Sequence, residues 1–214
     1  MTWENMTRLL EVTDRVTPTQ QVTVISRELD KFEDKSNLLR ILAQAYEINN
    51  IGISKAKKWV AKMYNVFDSE INADYSTYDD LGDVVYYLDS QAEKQGDFSL
   101  QTIIRLLELD CSKIDSDQFT LLSESITSMS ALARKWFIRF WLRTPRNGIN
   151  SGTVTKIVAK HYNKKLKEVK KHLNFNSVET VVASYENEET PSTNLVHGSF
   201  VSPMLAKEVP MNKW

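Results

Sequence analysis

Hydrophobic residues recur every three or four positions along most of the chain, the spacing that places them on one face of an α-helix. Near the start, Met6, Leu9 and Leu10 follow this spacing. Strict alternation of polar and apolar residues is scarce, and the one β-branched run, at 178–182, is short. The pattern therefore predicts an all-α protein. The predicted helices cover 3–15, 20–32, 36–48, 79–91, 100–109, 115–128 and 134–143.

Helix start signals support two of these predictions. Thr17 and Pro18 are typical of an N-cap followed by the first helical residue. Asp115 or Ser116 would cap the predicted helix at 115–128. The chain also has only six Gly and five Pro, which favours long helices over a sandwich with many turns.

A turn followed by a basic helix occurs twice, 98 residues apart. Residues 50–65 and 148–163 align without a gap. Val60, Val158 and Tyr162 within these helices are typical of core residues, so the repeat alone is also consistent with a purely structural role. Seven aligned pairs are identical: Ile51/Ile149, Lys58/Lys156, Val60/Val158, Ala61/Ala159, Lys62/Lys160, Tyr64/Tyr162 and Asn65/Asn163.

Both turns are rich in small and polar residues and lead directly into a helix. Such a turn exposes backbone N–H groups at a helix N-terminus, where the helix dipole also favours negative charge. Small residues let a sugar–phosphate backbone approach closely. Ser54 and Ser151 are the predicted N-caps, and the second helix is predicted to run to about residue 161. The turn residues are Asn49, Asn50 and Gly52 in the first copy and Asn147, Gly148, Ile149 and Asn150 in the second.

Charge is unevenly distributed, although the net charge is only −1. Residues 66–130 contain 14 Asp or Glu against 3 Lys or Arg, whereas residues 134–173 contain 12 Lys or Arg against one acid. One face could therefore bind a polyanion while another stays solvated. A smaller basic cluster in the first copy of the repeat consists of Lys55, Lys57, Lys58 and Lys62.

A basic stripe leads towards the second turn. Lys135, Arg139 and Arg143 lie four residues apart on a segment otherwise rich in Trp, Phe, Ile and Leu, and Arg146 follows. The stripe could contact a polyanion, or it could simply be the exposed side of an apolar helix. Lys170 is expected to be remote from both turns.

Candidate catalytic and metal-binding chemistry is sparse. The three histidines and Cys111 have no metal-ligand spacing. Asp79, Asp80 and Asp83 could form a carboxylate site, but acids that complement a helix dipole are the simpler interpretation. There is no phosphate-binding loop and no nucleophile with a base at a known spacing. We therefore predict neither a catalytic residue nor a metal site.

The cellular setting is predicted from cysteine usage and hydropathy. A single Cys111 cannot form an internal disulfide, which favours a reducing compartment. No run approaches the roughly 20 apolar residues needed to cross a bilayer, and the first ten residues lack a signal-peptide pattern. We expect a soluble intracellular protein, in the cytoplasm, the nucleus or a viral factory, without membrane association.

Four segments, in order along the chain, resemble the N-terminal DNA-binding domain of ATP-dependent DNA ligases. "RNGINSGTVTKIVAKHY" at 146–162 is similar to that family's Arg-x-Gly-[Ile/Leu/Val]-x-x-x-Thr-Val turn and helix. "NNIGISKAKKWVAKMYN" at 49–65 falls where the family has an earlier Gly-rich turn, with Asn50 in place of the leading Gly. "DDLGDVVYYL" at 79–88 resembles a helix start in the family, and "FVSPMLAK" at 200–207 resembles the element that joins the adenylation domain.

The resemblance implies a fold of about a dozen helices with a pseudo-twofold internal repeat. The two turns would lie on one face and contact the minor groove on either side of a nick. It also implies a monomer whose partners are nicked duplex DNA and the adenylation and OB domains of a parent ligase. The DNA-binding residues carried over or inferred are Gly52, Ser54, Lys55, Lys57, Lys58, Lys135, Arg139, Arg146, Asn147, Gly148, Asn150, Ser151, Gly152, Thr153 and Lys156.

The parent reaction implied by the resemblance needs a group that this chain lacks. In the family, a lysine takes AMP from ATP and passes it to the 5′-phosphate at the nick, and the 3′-hydroxyl then displaces AMP. The Lys-x-Asp-Gly motif of that nucleophile does not occur in the sequence. We therefore expect DNA binding without catalysis, and no cofactor in this chain, with ATP and Mg²⁺ used by the parent ligase. The alternative function is a helical protein–protein interaction scaffold that does not bind nucleic acid.

Composition predicts a division near residue 184. The segment that follows is polar, contains Pro191 and Gly198, and has no hydrophobic period, as is typical of a linker. Residues 1–183 are therefore the predicted helical DNA-binding domain. Residues 184–214 are the predicted linker and the start of the connection to an adenylation domain outside this chain.

Overall fold

A computed structural model describes residues 2–88 and 96–193. In those ranges the chain forms twelve α-helices and one turn of 3-10 helix, Leu29–Lys31, with no β-strand, which confirms the all-α prediction. The α-helices are α1 Trp3–Thr13, α2 Pro18–Glu28, α3 Lys35–Ala43, α4 Ile53–Tyr64, α5 Asp68–Tyr78, α6 Leu81–Leu88, α7 Leu100–Leu107, α8 Ser116–Ser128, α9 Ala131–Trp141, α10 Ser151–His161, α11 Leu166–Phe175 and α12 Val178–Glu186.

The twelve helices fall into two sets of six with matching order. Helices α1 to α6 start at residues 3, 18, 35, 53, 68 and 81, and α7 to α12 start at 100, 116, 131, 151, 166 and 178, so the intervals are 96 to 98 residues. Contacts between the sets are reciprocal: α6 packs on α9 and α12 on α3, while α1 packs on α9 and α7 on α3. Such an exchange of partners is expected of two halves related by an approximate twofold axis.

Helix α9 lies at the centre of the core. Its Trp136, Phe140 and Trp141 side chains are fully buried. Trp3 from α1 contacts Phe140 edge to face, with ring centroids 6.2 Å apart, and its indole N–H donates to the carbonyl of Ala133 at 3.1 Å. A helix that is apolar on nearly every side needs neighbours all around it, and α1, α6, α7 and α8 supply them.

Helix α6 approaches α9 closely because Gly82 has no side chain. A Cβ atom at this position would lie 2.7 Å from the carbonyl oxygen of Lys135 and 2.9 Å from Cγ of Arg139. Both distances are shorter than van der Waals contact allows, so a larger residue would push the two helices apart. This approach accounts for the glycine in the "DDLG" segment.

The β-branched run at 178–182 belongs to a helix, α12. The Ser177 side chain caps it by accepting a hydrogen bond from the N–H of Thr180. Local β-propensity is weak compared with the burial of an amphipathic face. The residues on that face are Val178, Val181, Val182 and Tyr185.

Several predicted boundaries are wrong by a few residues. The predicted helix at 36–48 ends at Ala43, because Gln44 takes a left-handed conformation with φ of 52°. The predicted boundary between 183 and 184 falls inside α12, so the structured part extends to Glu186 at least. The prediction for 194–214 lies outside the described residues. None of the helices in the described ranges is long and apolar enough to cross a membrane.

Stability is expected to fall as the pH drops from 7 to 5.5, because His172 is buried in its uncharged form. Its Nδ1 lies 2.7 Å from the hydroxyl of Tyr185. Burial is the main cause that lowers the pKa of His172 below its usual value, and Lys171 and Lys164 add to it against the opposing charge of Glu168. The unfolded chain therefore takes up the proton first as the pH falls through about 6.5, which favours unfolding.

Denaturant midpoints at several pH values would measure this effect in the wild type and in His172→Gln. Wild type should lose more stability than the variant between pH 7 and 5.5. Carboxyl groups whose pKa is lowered, such as Glu11 and Glu186, titrate below 4.5 and do not contribute in this window. Equal slopes for the two proteins would contradict the assignment to His172.

Candidate nucleic-acid interface

A buried asparagine builds each of the two turns. Asn49 and Asn147 are each 3% exposed. The side-chain oxygen of Asn49 accepts a hydrogen bond from the N–H of Ile51 at 3.1 Å, and that of Asn147 accepts one from the N–H of Ile149 at 3.0 Å. These bonds fold each turn back on itself, the arrangement that Asn side chains favour in turns. The two turns therefore share one construction.

The residue after each asparagine takes a left-handed conformation. Asn50 has φ of 55° and Gly148 has φ of 70°. Glycine adopts this region freely and asparagine tolerates it better than most residues. Asn50 can therefore replace the leading glycine of the first turn without changing the course of the backbone.

The two helices that follow the turns start earlier than predicted, α4 by two residues and α10 by one. Gly52 is the N-cap of α4, and no side chain bonds to the first N–H groups of that helix. Asn150 is the N-cap of α10, and its side-chain oxygen accepts a hydrogen bond from the N–H of Thr153 at 3.0 Å. Ser54 and Ser151 therefore lie inside the helices, and their predicted capping role is wrong.

The segments beside the two turns meet at the surface. A pocket of about 140 Å³ is lined by Ile51 and Ile53 next to the first turn, by Thr144 and Arg146, which lead into the second, and by the acids Asp79 and Asp80. Most of the predicted contact residues are exposed, so a ligand could reach both their backbone and their side chains. The exposed members are Gly52, Ser54 and Lys58 in the first copy and Arg146, Gly148, Asn150, Ser151, Gly152 and Lys156 in the second.

Three of the four lysines in the first basic cluster have intramolecular partners, and one of them, Lys62, lies 4.3 Å from the centroid of the Phe119 ring. The Lys55 ammonium donates a hydrogen bond to the carbonyl of Cys111 and lies 4.9 Å from the ring centroid of Trp59. The Lys57 ammonium lies 3.6 Å from the centroid of the Tyr75 ring. The side chains of Lys55 and Lys57 are half-buried. Lys58 is exposed and, within the described ranges, makes no ion pair, hydrogen bond or ring contact, so it is the freest cation of this cluster.

Lys135 and Arg139 of the basic stripe face the interior, which counts against their predicted contacts with DNA. The Arg139 side chain is 7% exposed, and it pairs with Asp80 at 3.0 Å and with Asp83 at 3.1 Å. Lys135 is 14% exposed and pairs with Asp83 at 3.2 Å and with Glu11 at 3.5 Å. A buried cation needs such partners, and these pairs hold α9 against α6 and α1.

Arg143, the third member of the stripe, fixes the segment before the first turn. Its guanidinium donates hydrogen bonds to the carbonyls of Gln44, Tyr46 and Glu47. The Tyr46 hydroxyl in turn donates to the carbonyl of Phe140. The second half of the chain therefore positions the turn of the first half.

Asp80 serves both as a helix cap and as an ion-pair partner. One of its carboxylate oxygens accepts hydrogen bonds from the N–H groups of Gly82 and Asp83, at 2.7 and 3.2 Å. Its other oxygen faces Arg139. The acidic segment is thus a capped helix start, as the simpler interpretation held, but Asp80 is buried instead of solvated.

Arg146 joins this acidic segment to the second turn. Its side chain is 46% exposed and lies 3.3 Å from a carboxylate oxygen of Asp79 and 3.5 Å from one of Asp80. The Asp79 side chain is 80% exposed. An ion pair so open to water contributes little energy, so Arg146 could exchange Asp79 for an anionic ligand.

Two other predicted contact residues, Asn147 and Thr153, are buried and support the second turn from within. The sequence analysis named Asn49 only as a turn residue, without its structural role, and it took Lys170 to be remote from both turns. Asn49 matches Asn147 at the same 98-residue interval, a signal present in the sequence. Lys170 is not remote, because it lines a groove together with Lys156; α10 and α11 meet only in the folded chain.

Redox and metal chemistry find little support in the described part of the chain. Residues 2–88 and 96–193 contain no group of three or more His, Cys, Asp or Glu side chains placed to hold a metal ion. Burial raises the pKa of the Cys111 thiol to about 11, so the group is uncharged at neutral pH and a poor nucleophile.

A comparison with known protein families identifies the family of the chain. The family model described as "DNA ligase N terminus" matches residues 4–159, a range that contains both turns, helices α2 to α9 and all of α1 except Trp3. No curated protein matched the chain in a sequence search.

Proposed function

Since the chain belongs to the family of DNA ligase N-terminal domains, we propose that it binds duplex DNA at a nick without catalysing a reaction itself. The observation that carries the proposal is the repeated turn, in which a buried Asn folds the backbone beneath an exposed helix start. The first N–H groups of α4 and α10 have no partner within their helices, and only that of Thr153 is capped, by Asn150, so both helix starts carry partial positive charge. Phosphate groups are the ligands that such helix starts prefer.

In the proposed mode of binding, the turns contact the sugar–phosphate backbone along the minor groove on either side of the nick. Gly52 and Gly148 keep each turn free of bulk, so that the backbone N–H groups that follow can reach phosphate oxygens. Arg146, Lys58 and Lys156 add charge from exposed positions. Contacts of this kind position a protein on DNA without reading base sequence.

The proposal places this chain as the DNA-binding part of a larger enzyme. The adenylation and OB domains of that enzyme would supply the nucleophilic lysine, and ATP and Mg²⁺ would be used there. The chain would act as a monomer inside the cell, in replication, repair or recombination. Its own contribution would be to hold the nicked duplex for the other domains.

Binding to a nicked duplex is expected to be nearly independent of sequence and to weaken steeply with salt. With about four to six phosphates neutralised, log K should fall with log[salt] at a slope of about −4 to −5. Fluorescence anisotropy titrations of two unrelated nicked duplexes at several salt concentrations would measure both properties. A flat salt response, or the absence of binding, would favour the alternative of a protein–protein scaffold.

The substitution Asp79→Asn is expected to strengthen DNA binding about threefold at low salt. It removes the exposed carboxylate that competes with phosphate for Arg146, an effect on the scale of a surface ion pair. Asn suits the backbone here, where φ is 51°. Asp117→Asn serves as the control, because it makes the same change in net charge at an exposed position of α8. Equal gains in the two variants would show a general charge effect and contradict a specific competition at Arg146.

A further inference from the structure

Each half of the chain has a groove beside its turn, and the two grooves are equivalent in position. The groove of the first half, of about 230 Å³, lies between α4 and α5. The groove of the second half, of about 600 Å³, lies mainly between α10 and α11. Every residue that lines the first has its counterpart, 98 positions later, in the lining of the second. The pairs are Ser54/Gly152, Lys57/Thr155, Lys58/Lys156, Asp68/Leu166 and Asn72/Lys170.

The two grooves differ in charge. The first contains Asp68, and the ammonium of its Lys57 already lies over the Tyr75 ring. In the second groove, Lys156 and Lys170 are both exposed and no acid lines the walls. A phosphate in the first groove would face the carboxylate of Asp68 as well as Lys58, whereas a phosphate in the second would face two cations and no acid.

The apolar character of the grooves differs as well. Leu166 stands where the first groove has Asp68, and it is 47% exposed. Together with Ala43, Leu173 and Val178 it adds apolar surface to the lining of the second groove, which also contains the two lysines. Deoxyribose presents C–H groups between successive phosphates. A groove lined by both cations and apolar side chains therefore suits a sugar–phosphate strand.

The geometry points to unequal DNA contacts in the two halves: the second groove holds a further stretch of sugar–phosphate backbone beyond its turn, through Lys156 and Lys170, and the first groove does not. This inference rests on the proposed function, because it takes duplex DNA as the ligand of the turns. It assigns Lys170 a direct contact and makes Asp68 the residue that prevents the same contact in the first half.

The test compares lysine variants by titration of a nicked duplex over a range of salt concentrations. Lys156→Ala and Lys170→Ala should each weaken binding about three- to tenfold at low salt and make the salt slope shallower by about one. Lys58→Ala should cost less than half as much, since Asp68 lines the same groove and would repel the phosphate that Lys58 attracts. Lys31→Ala is the control, because Lys31 is the last residue of the 3-10 helix Leu29–Lys31 and lines neither groove.

A double substitution transfers the chemistry of the second groove to the first. Asp68→Leu with Asn72→Lys should strengthen binding about tenfold and steepen the salt slope by about one, since one repulsion is removed and one cation added. The same pair of changes in the opposite direction, Leu166→Asp with Lys170→Asn, should weaken binding by a similar factor. All four positions are on the helix surface, and circular dichroism would verify folding.

The outcomes separate the two proposals. If wild type does not bind the nicked duplex, the proposed function and this inference both fail. If wild type binds but Lys170→Ala behaves like Lys31→Ala, or if Lys58→Ala costs as much as Lys156→Ala, the unequal grooves are refuted while the proposed function stands. A double variant that binds no better than wild type would also overturn the role given to Asp68.

Discussion

Replacing Gly52 by valine is expected to weaken binding of a nicked duplex about tenfold to a hundredfold while the chain stays folded. A Cβ atom at Gly52 would meet no other atom within 4 Å, and φ there is −93°, so a side chain fits the folded protein. In the complex, however, the same side chain would stand between the first N–H groups of α4 and a phosphate. The expected loss corresponds to one or two hydrogen bonds to a charged group.

Gly52 is a better test of backbone contact than Gly148. Valine at Gly148 would strain the turn itself, because φ there is 70°, and a loss of binding could then reflect unfolding. At Gly52 the cost to stability is that of a poorer N-cap, about 1 kcal/mol, which denaturant unfolding would measure. Gly52→Ala should give an intermediate loss of affinity. A folded Gly52→Val that binds like wild type would show that DNA does not approach this part of the backbone.

Removing the side chain of Arg139 is expected to destabilise the fold by about 3–5 kcal/mol. Arg139→Ala would leave the buried carboxylate of Asp80 with only the half-exposed Arg146, 3.5 Å away, as its cation, and poorly paired buried charges are costly. Urea denaturation would measure the loss. Arg8→Ala provides the control, because Arg8 is 68% exposed and its ion pair, with Glu4 at 3.5 Å, lies on the surface. That change should cost less than about 1 kcal/mol.

Two further measurements separate this structural role from a contact with DNA. Adding Asp80→Asn and Asp83→Asn to Arg139→Met should recover part of the lost stability, because no unpaired charge then remains, and asparagine can still cap α6. Where Arg139→Ala is still folded, its affinity for the nicked duplex should be close to that of wild type. A stable Arg139→Ala with greatly weakened binding would reverse the assignment and restore Arg139 to the DNA interface.

The sequence by itself determined the helical class and the position of most helices. Hydrophobic spacing is a local property, so it identified α1, α2, α7, α8 and α9 directly. The predicted Thr17 cap was also right: its side chain and that of Gln20 form a capping box. Helices α5 and α11 gave little signal, because α5 buries only Ile71 and α11 only Val169 and His172.

The sequence also located both turns, since a repeat at a fixed interval is visible without any structure. The matching pairs extend to the helix ends, where Asn65 and Asn163 both take left-handed conformations, with φ of 53° and 51°. What the repeat could not give was the detail of each cap. Gly52 and Ser54 are both possible N-caps of α4, and Asn150 and Ser151 are both possible N-caps of α10. Only the course of the backbone decides which residue of such a pair is the N-cap.

The tertiary structure alone decided which charged residues are free. Lys135, Arg139 and Arg146 belong to one run of basic residues in the sequence, yet the first two are buried against Asp80, Asp83 and Glu11 while Arg146 is half exposed. Charge and spacing are local, but burial and pairing depend on which distant segment packs alongside. For the same reason Lys170, which seemed remote along the chain, lies in one groove with Lys156, because α10 and α11 fold against each other.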